Sequence, residues 1–220
     1  MKRYLPFLVI SIAVVALIFY FIFSGQPKGV FKKLPVLGNH HLDTVLVNNA
    51  QRIDTVYHTI PPFKFMNQDG KTVDQSIVKG KVYVADFFFT TCQTICPVMS
   101  KQLDRVYKSY KDENDLMILS FTVQPETDTA EQLERYAKSF NANTKRWVFL
   151  TGEKPALYEL ARKGYLLNND AGTGDADDFI HTQNFALIDK KGRIRGFYDG
   201  TLTDEVDQLI VDAGFLLREN

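Results

Sequence analysis

Cys92 and Cys96 are the two thiols of the chain, and they stand four apart in Thr-Thr-Cys-Gln-Thr-Ile-Cys-Pro-Val-Met, residues 90–99. Two thiolates side by side suit a soft ion such as copper(I), and the same pair can exchange electrons with a disulfide. A purely structural bridge is a poor reading, because so short a loop removes little chain entropy when closed. A C-x-x-C pair is the common exchanger, whereas the three residues between Cys92 and Cys96 allow a wider bite around a metal without forbidding a disulfide. Spacing alone leaves both chemistries open. Cys96 precedes Pro97, and a residue before proline is pushed out of the α region. A helix is therefore expected to begin at Pro97, with the cysteines in a loop between a strand and that helix. The positive end of the helix favours thiolate there, at Cys96 in particular.

A metal needs a third ligand, and four histidines are available. His181 lies in Asp-Asp-Phe-Ile-His-Thr-Gln-Asn, directly ahead of a predicted strand at Asn184–Ile188. His40 and His41 fall in a tether and His58 at a domain edge. Each of these reads as solvated, although the adjacent pair could make a weak second metal site. Asp86 places a carboxylate inside an apolar strand, where burial is costly unless the group is neutral or paired. It is either a proton relay beneath the thiols or an acid satisfied by a nearby hydroxyl or lysine. Met99 could offer a soft sulfur, but its place on the apolar stripe of a helix favours core packing.

These residues need a frame, and the periodicities supply one. Pro61–Val73 reads as a hairpin turning at Asp69-Gly70. Val82–Phe89 is a nearly continuous apolar run, as in a central strand covered on both faces. Helical spacing follows from Pro97 to about Lys111, then a strand at Leu116–Val123. Thr129-Ala-Glu-Gln132 opens a helix with capping-box spacing. Trp147–Leu150 reads as a strand, Pro155–Lys163 as a helix stopped by Gly164, and 168–178 as an Asn/Asp/Gly loop. Strands at Asn184–Ile188 and Arg193–Tyr198 and a helix from about Asp204 to Leu217 close the chain. The order describes a thioredoxin-like α/β domain with an additional N-terminal β-hairpin. In that fold the loop entering the Asn184 strand faces the cysteine loop. Redox thioredoxins carry a cis-proline there, and no proline follows Pro155, which frees the position for a ligand.

Before this domain, Tyr4–Phe23 are twenty uncharged residues, enough at ~1.5 Å per residue for a helix to span a ~30 Å hydrocarbon core. Lys2 and Arg3 precede them. The organisation expected is a cytoplasmic tail over 1–3, a transmembrane helix over 4–23, a tether over 24–51 and the thioredoxin-like domain over 52–220. A signal peptide would carry a shorter apolar region with an A-x-A-like cleavage site, and no transit-peptide pattern is present. A bacterial cytoplasmic membrane follows, with the domain on its outer face. Lysine plus arginine and aspartate plus glutamate each total 26, so no net field points to nucleic acid.

Together these residues resemble the SCO/SenC family, the membrane-anchored copper-delivery proteins of cytochrome c oxidase assembly. The resemblance covers about 60–217 and rests on Phe-Phe-Phe-Thr-Thr-Cys-Gln-Thr-Ile-Cys-Pro97, on Pro125–Thr129 with Tyr136 and Phe140, on Trp147–Gly152, and on His181 followed by Phe-Ala-Leu-Ile-Asp189. It implies that Cys92, Cys96 and His181 bind copper(I) or copper(II) and that the recipient is the dinuclear copper centre of an oxidase subunit. The alternative is a thiol–disulfide oxidoreductase that keeps the cysteines of that copper-accepting subunit reduced. A peroxide-reducing thiol enzyme is a more distant third reading. Gln124 stands where the family usually has aspartate, and Asp86 where an apolar residue is common; the latter leans towards thiol chemistry.

Overall fold

The computed structural model describes residues 33–47, 50–167 and 182–219. The expected tail, anchor and first part of the tether, the 168–178 loop and His181 lie outside them. Among the described residues no helix is long and apolar enough to cross a membrane. Leu34–Asn220 forms a compact unit by itself.

Its frame is a seven-stranded sheet built from β3 (Lys64–Asn67), β4 (Thr72–Asp74), β5 (Val82–Phe88), β6 (Leu116–Thr122), β7 (Trp147–Thr151), β8 (Asn184–Ile188) and β9 (Ile194–Asp199), in the order β4-β3-β7-β6-β5-β8-β9. β5, β6 and β7 run parallel, with Val82 opposite Leu116 and Ile118 opposite Trp147. Every residue of these three strands is buried, as continuous apolar runs require of strands covered on both faces. The predicted Asp69-Gly70 hairpin is present: β3 and β4 pair antiparallel, and Gly70 takes a φ of 71° that a side chain would resist.

Alternation along β5 divides the interior. Val82, Val84 and Phe88 face helices α1 (Cys96–Ser109), α2 (Ala130–Ser139) and α4 (Thr203–Arg218), meeting Met99, Leu103, Leu133 and Leu209. Tyr83, Ala85 and Phe87 face the other way, onto Phe63, Phe65 and the short helix α3 (Lys154–Glu159). Thr129 caps α2 by accepting the Gln132 amide, as its spacing predicts. α3 does not simply end at Gly164; it widens into a π turn over Leu160–Gly164.

Across the boundary expected between tether and domain at 51/52, β1 (His40–Val47) pairs antiparallel with β2 (Ala50–Tyr57) in a two-stranded sheet of their own. Leu42 and Ile53 are about 70% exposed. A ribbon with no buried face carries little hydrophobic alternation, which is why its strands are faint in the sequence.

Candidate metal centre

β5 delivers its chain to the site. After Phe88 the backbone leaves the sheet through Thr90 and Thr91, reaches Cys92, and re-enters regular structure at Cys96, with Pro97 in the first turn of α1. Asp128 holds this exit. It is fully buried, accepts the Thr90 amide at 3.1 Å, and takes the Thr90 and Thr122 hydroxyls at 2.5 Å each. Gln132 adds a bond to the Thr90 hydroxyl, and Gln124 one from Thr91. The departure at Gln124 thus has a structural use. Asp128 was not singled out from the sequence; the signal was a carboxylate one residue before a helix cap, in a segment the family resemblance already marked.

Both cysteines are free and buried. The Cys96 amide donates to Cys92 Sγ at 3.4 Å, and the Thr94 hydroxyl lies 3.7 Å from the same sulfur. Burial works to raise the Cys92 thiol, but donors from the Cys96 side chain and amide and from Thr94 outweigh it and bring it down to about 7. Burial pushes the Cys96 thiol up to about 12, helped by its role as donor to Cys92 and by the negative charge of Asp86. This reverses the sequence expectation that Cys96 is the better thiolate. The helix-start amide belongs to Cys96, yet it points at the sulfur four residues earlier, so the stabilisation falls on Cys92.

Asp86 shares the face of β5 that carries Val84 and Phe88, and is 2% exposed. Its partner is Ser120 on β6, whose hydroxyl donates at 2.5 Å and in turn accepts Trp147 Nε1 at 3.0 Å. Burial lifts the Asp86 carboxyl to about 7 against the pull of that hydroxyl. A hydroxyl partner is present, as the structural reading foresaw, but it does not suppress proton affinity. Near this carboxylate sits Tyr136 of α2, its ring tilted against Phe88 at 5.1 Å and its hydroxyl bonded to Ser100 at 2.7 Å. Burial and the charges of Asp86, Cys96 and Cys92 raise the Tyr136 phenol, so it stays protonated.

The antiparallel β8 sets Ala186 opposite Ala85, so it begins, at Asn184, beside the end where β5 leaves for the cysteine loop. Thr182 and Gln183 complete the approach, tied by Gly200 N–H to the Gln183 carbonyl. His181 directly precedes them in sequence and lies outside the described residues. The remaining candidates separate clearly. Met99 is 1% exposed in the core. His58 Nε2 is 2.7 Å from the Gly164 carbonyl. His40 and His41 are consecutive on β1, opposite Tyr57 and Val56, so their side chains leave opposite faces of the ribbon and cannot chelate one ion. Among the described residues no group of three or more His, Cys, Asp or Glu could hold a metal.

Comparison with known proteins places this arrangement. The SCO1/SenC family model matches residues 50–211. The SCO1 protein homolog of Bacillus subtilis (strain 168) is 37% identical over 162 residues, 73% of this chain and 83% of that protein. BsSco, a member of the Sco family of cytochrome c oxidase assembly proteins in which a disulfide switch was identified, is similar with a TM-score of 0.63 and 35% identity, covering 74% of this chain and 95% of its own. Arabidopsis thaliana ScoI with copper bound is similar with a TM-score of 0.59 and 25% identity, covering 74% of this chain and 99% of its own.

Proposed function

This chain belongs to the SCO1/SenC family, and from that membership we propose that it is a copper-binding metallochaperone of cytochrome c oxidase assembly. Cys92, Cys96 and His181 hold the ion, and the recipient is the dinuclear copper centre of an oxidase subunit. The observation that carries the reading is the convergence of two free thiols on the first turn of α1 beside the entry to β8. Their donor set fits copper: both are soft, and Cys92 reaches its thiolate near pH 7 without a metal. The relative with copper bound and the oxidase-assembly relative support the same cargo and destination. The twenty uncharged residues Tyr4–Phe23 support a single-pass anchor in the bacterial cytoplasmic membrane, with the domain on its outer face.

The chain's own residues prepare the exchange. Asp128 fixes the Thr90 backbone, and with it the approach to Cys92. The Cys96 amide and Thr94 stabilise a negative sulfur. The Cys96 proton must leave before this sulfur can act as a ligand, and the Asp86 carboxylate, whose charge acts on Cys96, is our candidate for a relay in its removal.

That carboxylate also favours the second reading, a thiol–disulfide oxidoreductase. There, the Cys92 thiolate attacks a sulfur of the oxidised partner and one partner thiolate leaves. Cys96, its proton passed towards Asp86, then attacks Cys92 of the mixed disulfide. A Cys92–Cys96 disulfide forms and the second partner thiolate is released, so the partner gains the two electrons lost by this chain.

His181 separates the two readings. In residues 34–220, His181→Ala should abolish tight copper binding and leave disulfide exchange nearly intact. Copper stoichiometry and absorption spectroscopy should show two sulfur donors and one nitrogen donor in the parent domain. Unchanged copper affinity in the variant rules out the three-ligand site.

A further inference from the structure

We propose that the end of the domain opposite the cysteines is a docking surface for an anionic lipid bilayer. The parallel strands leave for the cysteine site at their C-terminal ends, so their N-terminal ends and the β8–β9 turn lie together, about 20 Å away along β5. Lys79, Lys190 and Lys191 line a single concavity of about 470 Å³ at that end, floored by Ile60 and Tyr83. Among the described residues, no ion pair engages Lys79 or Lys191, and both are exposed. Lys190 is bound to the Leu217 and Glu219 carbonyls at 2.8 and 3.0 Å. Asp189 is paired with Arg193 and Arg195 and Glu219 with Arg195, while Asp112, Glu113 and Asp115 lie in the turn before β6, on the α1 side of this end, so the cationic excess is confined to the concavity.

The chain enters the domain at this same end. The Leu34 carbonyl accepts from Arg195 and the Leu37 amide donates to Ile194, while Ile60 N–H bonds Gly192 in the lysine turn. Exposed Lys33 is the residue before that entry, and Tyr4–Phe23 precede it in sequence. Between Leu37 and Ile60 the ribbon of β1 and β2 departs, with Leu42 and Ile53 diagonal neighbours on one face, 71% and 70% exposed. Cationic side chains beside exposed apolar ones fit a headgroup surface better than they fit water. The opposite end presents Glu131, Glu153 and Asp204 at the helix starts around the cysteines, with Glu126 beside Lys154, and an anionic surface repels these acids. The polarity keeps the thiols turned towards a partner in the aqueous phase.

The test uses residues 34–220, a compact unit enclosing both cores, and vesicle co-sedimentation. Binding should be strong on phosphatidylglycerol–phosphatidylcholine vesicles, weak on phosphatidylcholine alone, and lost when salt shortens the Debye length to ~3 Å. Lys79→Glu with Lys191→Glu should weaken it about twentyfold or more, since one lysine at such a surface is worth about fivefold. Lys101→Glu with Lys154→Glu changes net charge equally near the starts of α1 and α3, at the cysteine end, and should weaken it far less. Equal binding to both vesicle types, or an equal loss from both double variants, overturns the proposal. The anchor reading supplies only the leash that keeps the domain near the bilayer. Its failure would show separately, as full-length chain that stays in the supernatant with neutral vesicles.

Discussion

Asp86 and Asp189 are both buried aspartates on the sheet, and their surroundings drive them in opposite directions. Asp189, in the turn after β8, accepts Arg193 Nε and Arg195 Nη1 at 2.8 and 2.9 Å and two backbone amides besides. Burial works against its charge, yet these donors hold its carboxyl below the ordinary carboxylate range. Asp86, beneath the thiols, has one hydroxyl and its own amide, and burial wins. A buried carboxylate with cations around it is a fixed anion that locks structure. The same group given a single neutral donor keeps a proton it can trade near neutral pH. The first kind stands beside Leu34 and Glu219, and the second beneath the two thiols.

The largest break of that contrast is Arg195→Met. It strips the cation from Asp189 and Glu219 and the donor from the Leu34 and Pro35 carbonyls, and should cost about 4 kcal/mol in urea unfolding. Asp189 contributes stability above its unfolded value of 3.8 that is lost as pH falls through its lower folded value; in the variant this loss should start at higher pH. An unchanged midpoint would mean the cluster is not what holds this end.

Asp86→Asn should act with the opposite sign. The folded chain holds this proton up to about 7, the unfolded chain only to 3.8. The folded state therefore binds the extra proton between those values, and stability falls as pH rises from about 4 through about 7. At about pH 8 the variant should be more stable by on the order of 3 kcal/mol, and near pH 4 about equal to the parent. Parallel pH profiles for the two proteins would remove Asp86 from any proton role.

A smaller loss is expected from Asp128→Ala, about 2 kcal/mol for the orphaned Thr90 amide and hydroxyls. Hydrogen exchange at Thr90 and Thr91 should quicken more than exchange in β6. Uniform quickening would make Asp128 part of the general core instead of a brace for the cysteine loop. Finest of all is the difference within the thiol pair. In the reduced, metal-free domain, iodoacetamide should modify Cys92 with a midpoint near pH 7, while Cys96 stays unreactive until far more alkaline pH. Mass spectrometry that finds Cys96 modified first would reverse the assignment.

The sequence shows its frame best where burial is greatest. β5, β6 and β7 are legible because two-sided burial leaves a nearly continuous apolar run, and the hairpin at Gly70 because its backbone conformation selects the residue. The ribbon is nearly silent, since nothing covers it and so nothing imposes a pattern. The site is legible to the extent that it is chemical. Two thiols four apart before a proline, and an acid where an apolar side chain belongs, stand out without coordinates. What stayed hidden is direction: which sulfur receives the helix-start amide depends on where the Cys96 N–H points. The brace through Asp128 stayed hidden as well, because its partner Thr90 is 38 residues away in the chain.

The Arg195 cluster also constrains how the domain comes into being. The guanidinium bonds carbonyls 160 and 161 residues earlier in the chain and a carboxylate 24 residues later, so no part of the latch can close until Arg195 has been made. Loop closure over such a span is entropically slow. A chain emerging amino-end first would thus carry Leu34 and Pro35 unfastened until Arg195 follows, with both thiols made long before it. Closing this latch would be a late event of maturation, and a chain lacking α4 and Glu219 would close it without its carboxylate arm.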